Sequence, residues 1–418
     1  MGNSPNFLGS CIDFTNPEAV AWWQEQIQRL VRMGVDGFKT DFGEQVPEDA
    51  RFYDGRTGRE LHNIYPRLYN RATYEAMSRE THGVLLARSA WDGSQAYCAC
   101  WAGDQSSDFG PATGLPSVIL AGQTAGLSGF PFWASDIGGY FGTPTEEVFI
   151  RWIQFGAFSP IMQIHGMGKR EPWKFSQRTL ELYRRYAQVH LDLFPYLYTY
   201  AHRASETGVP ILRALALEFP QDQGIWNDTV EHQYCFGEEL LVAPVYYGED
   251  GVRYLYLPEG EWRDFWEGQH YVGGQVHGVA AGLEQIPVMA RAGAVIPLLD
   301  PSPETLLPTE APNVRQAAAD LRLLVFPGKD GRFTLYDGTA FEWNEADWTL
   351  TVWNSPLARQ VSVRIMGEPA SLLEASGSQG ERLSYRVGSI SGEKTYIRIQ
   401  VENRGTYRLA WAHGEASR

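Results

Sequence analysis

Cysteine is scarce in this 418-residue chain: Cys11, Cys98, Cys100 and Cys235 are all there is. They form no C-x-x-C pair and have no histidine at a zinc-ligand spacing. Neither a disulfide framework nor a structural zinc is supported, and reduced thiols in a cytoplasmic protein are the expectation. Long apolar runs are lacking too. A membrane-spanning helix needs roughly 18 apolar residues, and the nearest approach, Gly278 to Leu299, is interrupted by Glu284 and Arg291. The opening Met1-Gly2-Asn3-Ser4-Pro5 has no basic stretch followed by an apolar one, so no secretory signal is visible. Positive charge is in deficit, with 35 Lys and Arg against 50 Asp and Glu and a formal net charge of -15. Such a chain repels nucleic acid and anionic membranes, and a neutral substrate suits it better. Internal repeats and low-complexity tracts are absent, and the single sequon, Asn227-Asp228-Thr229, reads as chance.

Aromatics, in contrast, are plentiful: 14 Trp, 21 Tyr and 20 Phe. Most fill cores, but aromatic rings are also what proteins lay against the C–H faces of sugars. A hydrophobic content of 44% and 418 residues imply two or three globular domains. The first half alternates helix and buried strand. Asn16-Pro17-Glu18 reads as a helix start, with Val20, Trp23, Ile27, Leu30 and Val31 on one face and Gly34 as the stop. A strand follows that ends at Lys39, Asp41 and Glu44. A helix around Tyr65 to Arg79 then leads to a strand ending at Arg88, and a further strand ends at Asp104. Helix Leu115 to Ala125 precedes a strand ending at Asp136, and a helix from Thr145 precedes one ending at His165. Five successive strand ends that finish on a charged or titratable residue fit a parallel α/β barrel, where the carboxyl ends of the strands form the active face.

Ser176 to Glu206 is a long helical segment in which Pro195 kinks the helix or starts a new one. Beyond about Gly208 the period changes to two. Arg253 to Leu257 and Trp262 to Trp266 look like strands joined by a turn. Leu321 to Phe326, Arg332 to Tyr336, Thr349 to Trp353, Val361 to Ile365 and Thr395 to Val401 continue the alternation. Domains are therefore expected at 1–206 (barrel), 207–306 and 307–418 (two all-β sandwiches), the last pair divided by a Pro-rich linker from Pro301 to Pro312.

Asp41 and Asp104 are the pair to weigh for chemistry. Cleaving a glycosidic bond with retention takes one ionised carboxylate to attack the anomeric carbon and a second, protonated at rest, to protonate the leaving oxygen, the two about 5–5.5 Å apart. The acid must titrate above the nucleophile. Trp101 could exclude water near Asp104, Arg88 could hold Asp41 ionised, and His165 could donate to a sugar hydroxyl. Each also has a plain reading: a turn cap, a surface ion pair, a satisfied structural histidine.

The segments KTDFGE (39–44), LLARSA (85–90), WAGDQ (101–105), GLSGFPFWASDIGGY (126–140), QIHG (163–166), FPYLY (194–198) and LLVAPV (240–245) resemble glycoside hydrolase family 31, the α-glucosidases and α-xylosidases. The resemblance implies a (β/α)8 barrel followed by proximal and distal β-sandwich domains, and a retaining mechanism with no cofactor and no metal. It implies Asp41 as nucleophile and Asp104 as acid/base. Lys39, Phe42, Glu44, Arg88, Trp101, Phe132, Trp133, Asp136 and His165 are implied around the sugar. The expected substrate is an α-glucoside or α-xyloside oligosaccharide; the oligomeric state is left open. Lys39 and Phe42 resemble the bacterial α-xylosidase branch, but bacterial α-glucosidases share them. Members of the family carry further segments before the matched region, so this chain is expected to hold strands four to eight of the barrel. Two alternatives stay open: a non-catalytic or partner-dependent fragment, and an α-transglucosylase or α-glucan lyase using the same nucleophile.

Overall fold

The computed structural model describes residues 11–247, 251–305, 319–368, 370–377, 379–390, 394–402 and 405–413. The chain divides between Gly103 and Asp104 into two compact units. In the first, α1 (Pro17–Arg32) starts as its sequence dictates, with Pro17 in the first turn and the Asn16 side chain accepting from the Glu18 N–H. Gln24 and Ile27 are its buried face, whereas Leu30, expected on that face, is 40% exposed. Gly34, at φ +99°, ends the turn after it. Strand β1 (Phe38–Thr40), the single turn α2 (Gly58–Leu61), α3 (Tyr65–Met77), β2 (Leu85–Ala87) and β3 (Ala99–Trp101) follow. β1–β2 and β2–β3 pair in parallel. Phe14, Val46, Phe52, Leu61, Tyr65 and Ala72 form a core under α1 and α3.

The second unit continues the rhythm with α4 (Leu115–Leu127), β4 (Trp133–Asp136), α5 (Glu146–Ala157) and β5 (Ile161–Gln163), β4 and β5 again being parallel. The long helical segment is two helices, α6 (Gln177–Asp192) and α7 (Phe194–Thr207), because Pro195 cannot donate to the preceding turn and begins the second. Among the described residues neither unit contains a closed barrel.

From residue 212 the chain is almost entirely β. Strands β6 (Leu212–Arg213), β7 (Tyr234–Phe236), β8 (Leu240–Val242), β9 (Val252–Leu257), β10 (Glu261–Asp264), β11 (His270–Val272), β12 (Gln275–Ala280) and β13 (Val288–Arg291) follow, with the short helix α8 (Leu215–Glu218) after β6. Six of them form a sheet in the order β11-β10-β13-β8-β7-β6, and β9 pairs with β12 in a separate ribbon. The expected β9–β10 hairpin does not form. Gly260, at φ +119°, bends the chain. Trp262, 1% exposed and donating to the Pro258 carbonyl, lies in a core shared with Leu255 and Leu257 of β9, while β10 takes its ladder partners from β11 and β13.

Strand β14 (Val295–Leu299) pairs antiparallel with β15 (Leu321–Val325) across most of the Pro-rich segment, of which 306–312 lie outside the described residues. The remaining strands are β16 (Gly331–Thr334), β17 (Ala340–Asn344), β18 (Thr349–Trp353), β19 (Arg359–Ile365), β20 (Ala370–Ser376), β21 (Tyr385–Ile390), β22 (Lys394–Val401) and β23 (Tyr407–His413). They complete two five-stranded sheets, β14-β15-β19-β22-β21 and β16-β17-β18-β23-β20. All four cysteines are free thiols, three of them buried. No helix among the described residues is long and apolar enough to cross a membrane.

Candidate active site

In the first unit the site follows from how β1 ends. Side chains alternate along a strand, so Thr40 faces one way and Lys39 and Asp41 the other. Thr40 is buried, and its hydroxyl donates to Asn70 Oδ1 on α3 at 2.9 Å, while Asn70 Nδ2 donates to the Ser89 carbonyl at 2.9 Å. The helix-facing side is thereby settled, and Lys39 and Asp41 share the opposite face. The Lys39 ammonium lies 4.0 Å from the ring centroid of Trp101 on β3. Trp101 is 3% exposed, so its indole supports Lys39, an attraction worth about 0.5–2 kcal/mol.

Arg88 follows β2, whose register sets Ala87 beside Thr40 and so delivers Arg88 next to Asp41. Its Nε is 3.0 Å from Asp41 Oδ1 and its Nη2 3.1 Å from Glu44 Oε1. The guanidinium also stands 4.2 Å over the Phe42 ring. Arg88's side chain is 13% exposed and that of Asp41 50%, so the cation is recessed and the carboxylate it grips faces out. A rigid guanidinium fork orients a carboxylate in a way that lysine cannot. Gly103 belongs to this arrangement: a Cβ there would come within 3.2 Å of Arg88 Cδ.

The turn after Asp41 holds strain. Phe42 has φ +60° and Gly43 φ +96°, and the left-handed region costs a non-glycine residue about 1–2 kcal/mol. Two bonds offset it. The Phe42 N–H donates to Asp41 Oδ1 at 2.9 Å, and Ser89 Oγ donates to the Phe42 carbonyl at 2.6 Å. A Cβ on residue 43 would lie 2.6 Å from Ser89 Oγ and 3.3 Å from Tyr69 Cδ1. The Tyr69 phenol is pushed up to about 12, first by burial and then by the negative charge of Asp41, and so stays protonated.

In the second unit Asp104 is exposed, and the backbone just after it is zipped to the loop after β4. The Gln105 carbonyl accepts from the Tyr140 and Phe141 N–H groups at 2.7 and 2.8 Å. The Phe141 carbonyl accepts from the Ser107 N–H at 3.0 Å and from its hydroxyl at 2.6 Å. Asp136 closes β4 and is fully buried. Its register partner on β5 is Gln163, whose Nε2 donates to Asp136 Oδ1 at 2.8 Å. His165 is exposed, its ring 5.4 Å from that of Tyr140. Arg170, 4% exposed, donates to the carbonyls of Gly139 (2.7 Å), Lys169 (2.7 Å), Gly142 (2.9 Å) and Tyr140 (3.2 Å) and to Ser107 Oγ (2.8 Å). Burial pulls its pKa down, and the charge of Asp136 pushes it back.

The first unit thus gathers Lys39, Asp41, Phe42, Glu44, Arg88 and Trp101, and the second ties together the segments that carry Asp104, Asp136 and His165. Trp133 needs correction. It shares the helix-facing side of β4 with Ser135, which accepts from Trp152 on α5 at 3.0 Å. Its indole packs so closely on α4 that a Cβ at Gly122 would fall 2.8 Å from it. Trp133 is core on the face opposite Asp136; Phe132, just before β4, is half-buried. Sequence reasoning passed over Asn70 and Tyr69, which with Ser89 of the quoted LLARSA segment hold the Asp41 turn, and Arg170, whose role no periodicity announces. Gln163 lay in a quoted motif and is explained by strand register. No group of three His, Cys, Asp or Glu side chains suited to a metal occurs among the described residues.

Residues 2–200 match the model of the glycosyl hydrolases family 31 TIM-barrel domain, and residues 208–296 that of the glycosyl hydrolase family 31 C-terminal domain. The chain belongs to glycoside hydrolase family 31. Over 304 residues it is 38% identical to an isomaltosyltransferase of Sporosarcina globispora, covering 69% of this chain and 27% of that protein. It is 36% identical to an alpha-xylosidase of Emericella nidulans (69% and 38%) and 32% identical to alpha-glucosidase 2 of Bacillus thermoamyloliquefaciens (80% and 44%). Among solved structures it is similar to the cycloalternan-forming enzyme of Listeria monocytogenes in complex with its pentasaccharide substrate. The TM-score there is 0.84 at 27% identity, over 96% of this chain and 41% of that one. The chain spans less than half the length of these curated relatives.

Proposed function

We propose that this chain carries the catalytic aspartates of a retaining glycosidase that releases terminal α-linked glucose or xylose from oligosaccharides. The observation that carries this reading is the Arg88 fork, which holds both Asp41 and Glu44 at the end of β1. In the first step the Asp41 carboxylate attacks the anomeric carbon, and Asp104 gives its proton to the leaving oxygen. In the second, Asp104 takes a proton from water, whose oxygen displaces Asp41 and restores the original configuration. Lys39, Asp136 and His165 bind sugar hydroxyls. The hydrolytic relatives named above favour glucose or xylose. The isomaltosyltransferase and the cycloalternan-forming enzyme support a second reading, in which a sugar hydroxyl replaces water in the second step. We extend the proposal to the architecture: β1–β5 as strands four to eight of an eight-stranded barrel, with domains at 1–206, 207–306 and 307–418. A cytoplasmic location goes with the free thiols.

The experiment is a panel of aryl α-glucosides and α-xylosides assayed on this chain and on any longer product of the same reading frame. Asp41→Ala is expected to abolish turnover, with added azide restoring it only as the glycosyl azide. Asp104→Ala is expected to lose about 10²–10⁴-fold on poor leaving groups and least on good ones, which need little protonation. Wild-type rates in both variants would overturn the assignment. Longer oligosaccharides among the products would favour transfer, and an anhydro sugar would favour elimination.

A further inference from the structure

Arg170 is buried, and the hydrogen-bond acceptors of its guanidinium among the described residues are loop atoms. Its acceptors on neighbouring loops are the carbonyls of Gly139, Tyr140 and Gly142, three to six residues after Asp136, and Ser107 Oγ, three residues after Asp104. A guanidinium has five N–H donors in a fixed plane, and here they are shared among acceptors whose positions they thereby fix. The surrounding backbone leaves no slack. A Cβ at Gly139 would lie 2.6 Å from the Ser106 carbonyl oxygen, and one at Gly166, next to His165, 2.7 Å from both Arg170 Nε and the Gly139 carbonyl oxygen. The three segments behind Asp104, Asp136 and His165 therefore pack backbone to backbone with Arg170 between them.

We infer that Arg170 is a positioning residue for proton transfer: by binding the segments behind Asp104 and Asp136 at once, it sets the aim of the acid/base carboxyl at the glycosidic oxygen. The inference rests on the acid/base reading of Asp104. A purely structural Arg170 predicts a loss of stability and nothing selective about the chemistry. A positioning Arg170 predicts that its loss mimics loss of the acid. A lysine, with one point charge and no planar fork, is not an adequate substitute.

The test compares Arg170→Gln and Arg170→Lys with Asp104→Ala and the double variant Asp104→Ala/Arg170→Gln. On an alkyl α-glycoside or a disaccharide, Arg170→Gln is expected to lower kcat by about 10²-fold with little change in KM, since an ångström of misplacement has that effect. On a 2,4-dinitrophenyl α-glycoside the loss is expected to stay under about 5-fold. The double variant is expected to be no slower than Asp104→Ala, because both changes remove one function. Hydrogen exchange of the intact chain provides a readout independent of turnover. In Arg170→Gln the amides of Ser107, Tyr140 and Phe141 are expected to exchange at least about 5-fold faster, and those of α7 at the wild-type rate. An equal loss on every leaving group, additive losses in the double variant, or unchanged exchange at those amides would overturn the inference. Were Asp104→Ala itself indifferent to the leaving group, the acid/base reading would fall and take the inference with it; selective behaviour in Asp104→Ala alone would overturn only the role of Arg170.

Discussion

A single histidine sets part of this protein's acid sensitivity. His232 is 7% exposed, and both its ring nitrogens are buried without a hydrogen-bond partner among the described residues. Its ring stacks on Tyr246 at 3.9 Å, and among the described residues the exposed Glu231 carboxylate, 3.8 Å from Nδ1, offers an opposite charge. Burial, helped by the nearby Arg253 cation, pulls its pKa down from the usual 6.5 to about 4. Between those two values the unfolded chain holds a proton that the folded chain refuses, so stability is full above pH 6.5 and is lost as pH falls toward 4. The shift corresponds to roughly 3 kcal/mol. His232→Phe keeps the stack and removes the titration. Its Tm is therefore expected to fall less than the wild type's between pH 7 and pH 4.5, and an equal fall in thermal scans at the two pH values would sink the assignment. The contrast with Asp41, Arg88 and Asp104 is instructive. A charge that abruptly ends an apolar run is visible in a string of letters, whereas His232 is defined by neighbours such as Tyr246 and Arg253 that come from elsewhere in the chain.

Helices with local punctuation were readable as elements. Asn16-Pro17 began α1, Thr145 began α5, and Pro195 separated α6 from α7. What α5 packs against was not. Every residue from Val148 to Ala157 is buried, and a helix enclosed on all sides has no polar face to reveal its partners. Arg151 shows the consequence. Arg151 is 5% exposed, and its guanidinium caps the carbonyls of Ala281, Gly282 and Gln285 at 2.8, 3.1 and 3.2 Å, tying α5 to the loop before β13. Burial pulls its pKa down, and the charges of Glu147 and Glu284 offset part of the effect. Arg151→Ala takes the donor from the buried Ala281 carbonyl and the part-buried Gln285 carbonyl, while the Gly282 carbonyl keeps the Gln285 N–H, and each orphaned acceptor costs about 1–3 kcal/mol. A loss of at least about 2 kcal/mol in urea unfolding is expected from the two orphaned carbonyls, with Arg151→Lys recovering part. A loss under about 1 kcal/mol would mean that water replaces the guanidinium without penalty. The β9–β10 turn failed for the related reason that β10 pairs with β13 and β9 with β12, choices of partner farther along the chain that a local Pro-Glu-Gly signal does not encode.

At the level of the whole molecule, the alternation of helix with parallel strand and the later change to period two were legible because both are periodicities. The assignment of strands to sheets was not: β14 joins β15 across residues 306–318, and β15 pairs in parallel with β19. Charge is the other molecule-wide property, and it separates two classes of substrate. The chain has a net charge of -15, while the first unit displays Lys39 and Arg88 among the carboxylates Asp41 and Glu44. With the long-range field negative, an anionic glycoside is repelled before any local cation acts on it, and this repulsion is screened over about 10 Å at 0.1 M salt. A neutral α-glucoside or α-xyloside experiences no such barrier. For the neutral substrate kcat/KM is expected to stay constant within about 2-fold from 10 to 200 mM salt, whereas for an α-glycoside with a carboxylate or sulfonate it should start lower and rise over the same range. Initial rates on a matched pair of aryl glycosides check it. If the anionic member were the better substrate at low salt and weakened as salt was added, Lys39 and Arg88 would outweigh the molecular field, and the substrate class would have to be redrawn around an acidic sugar.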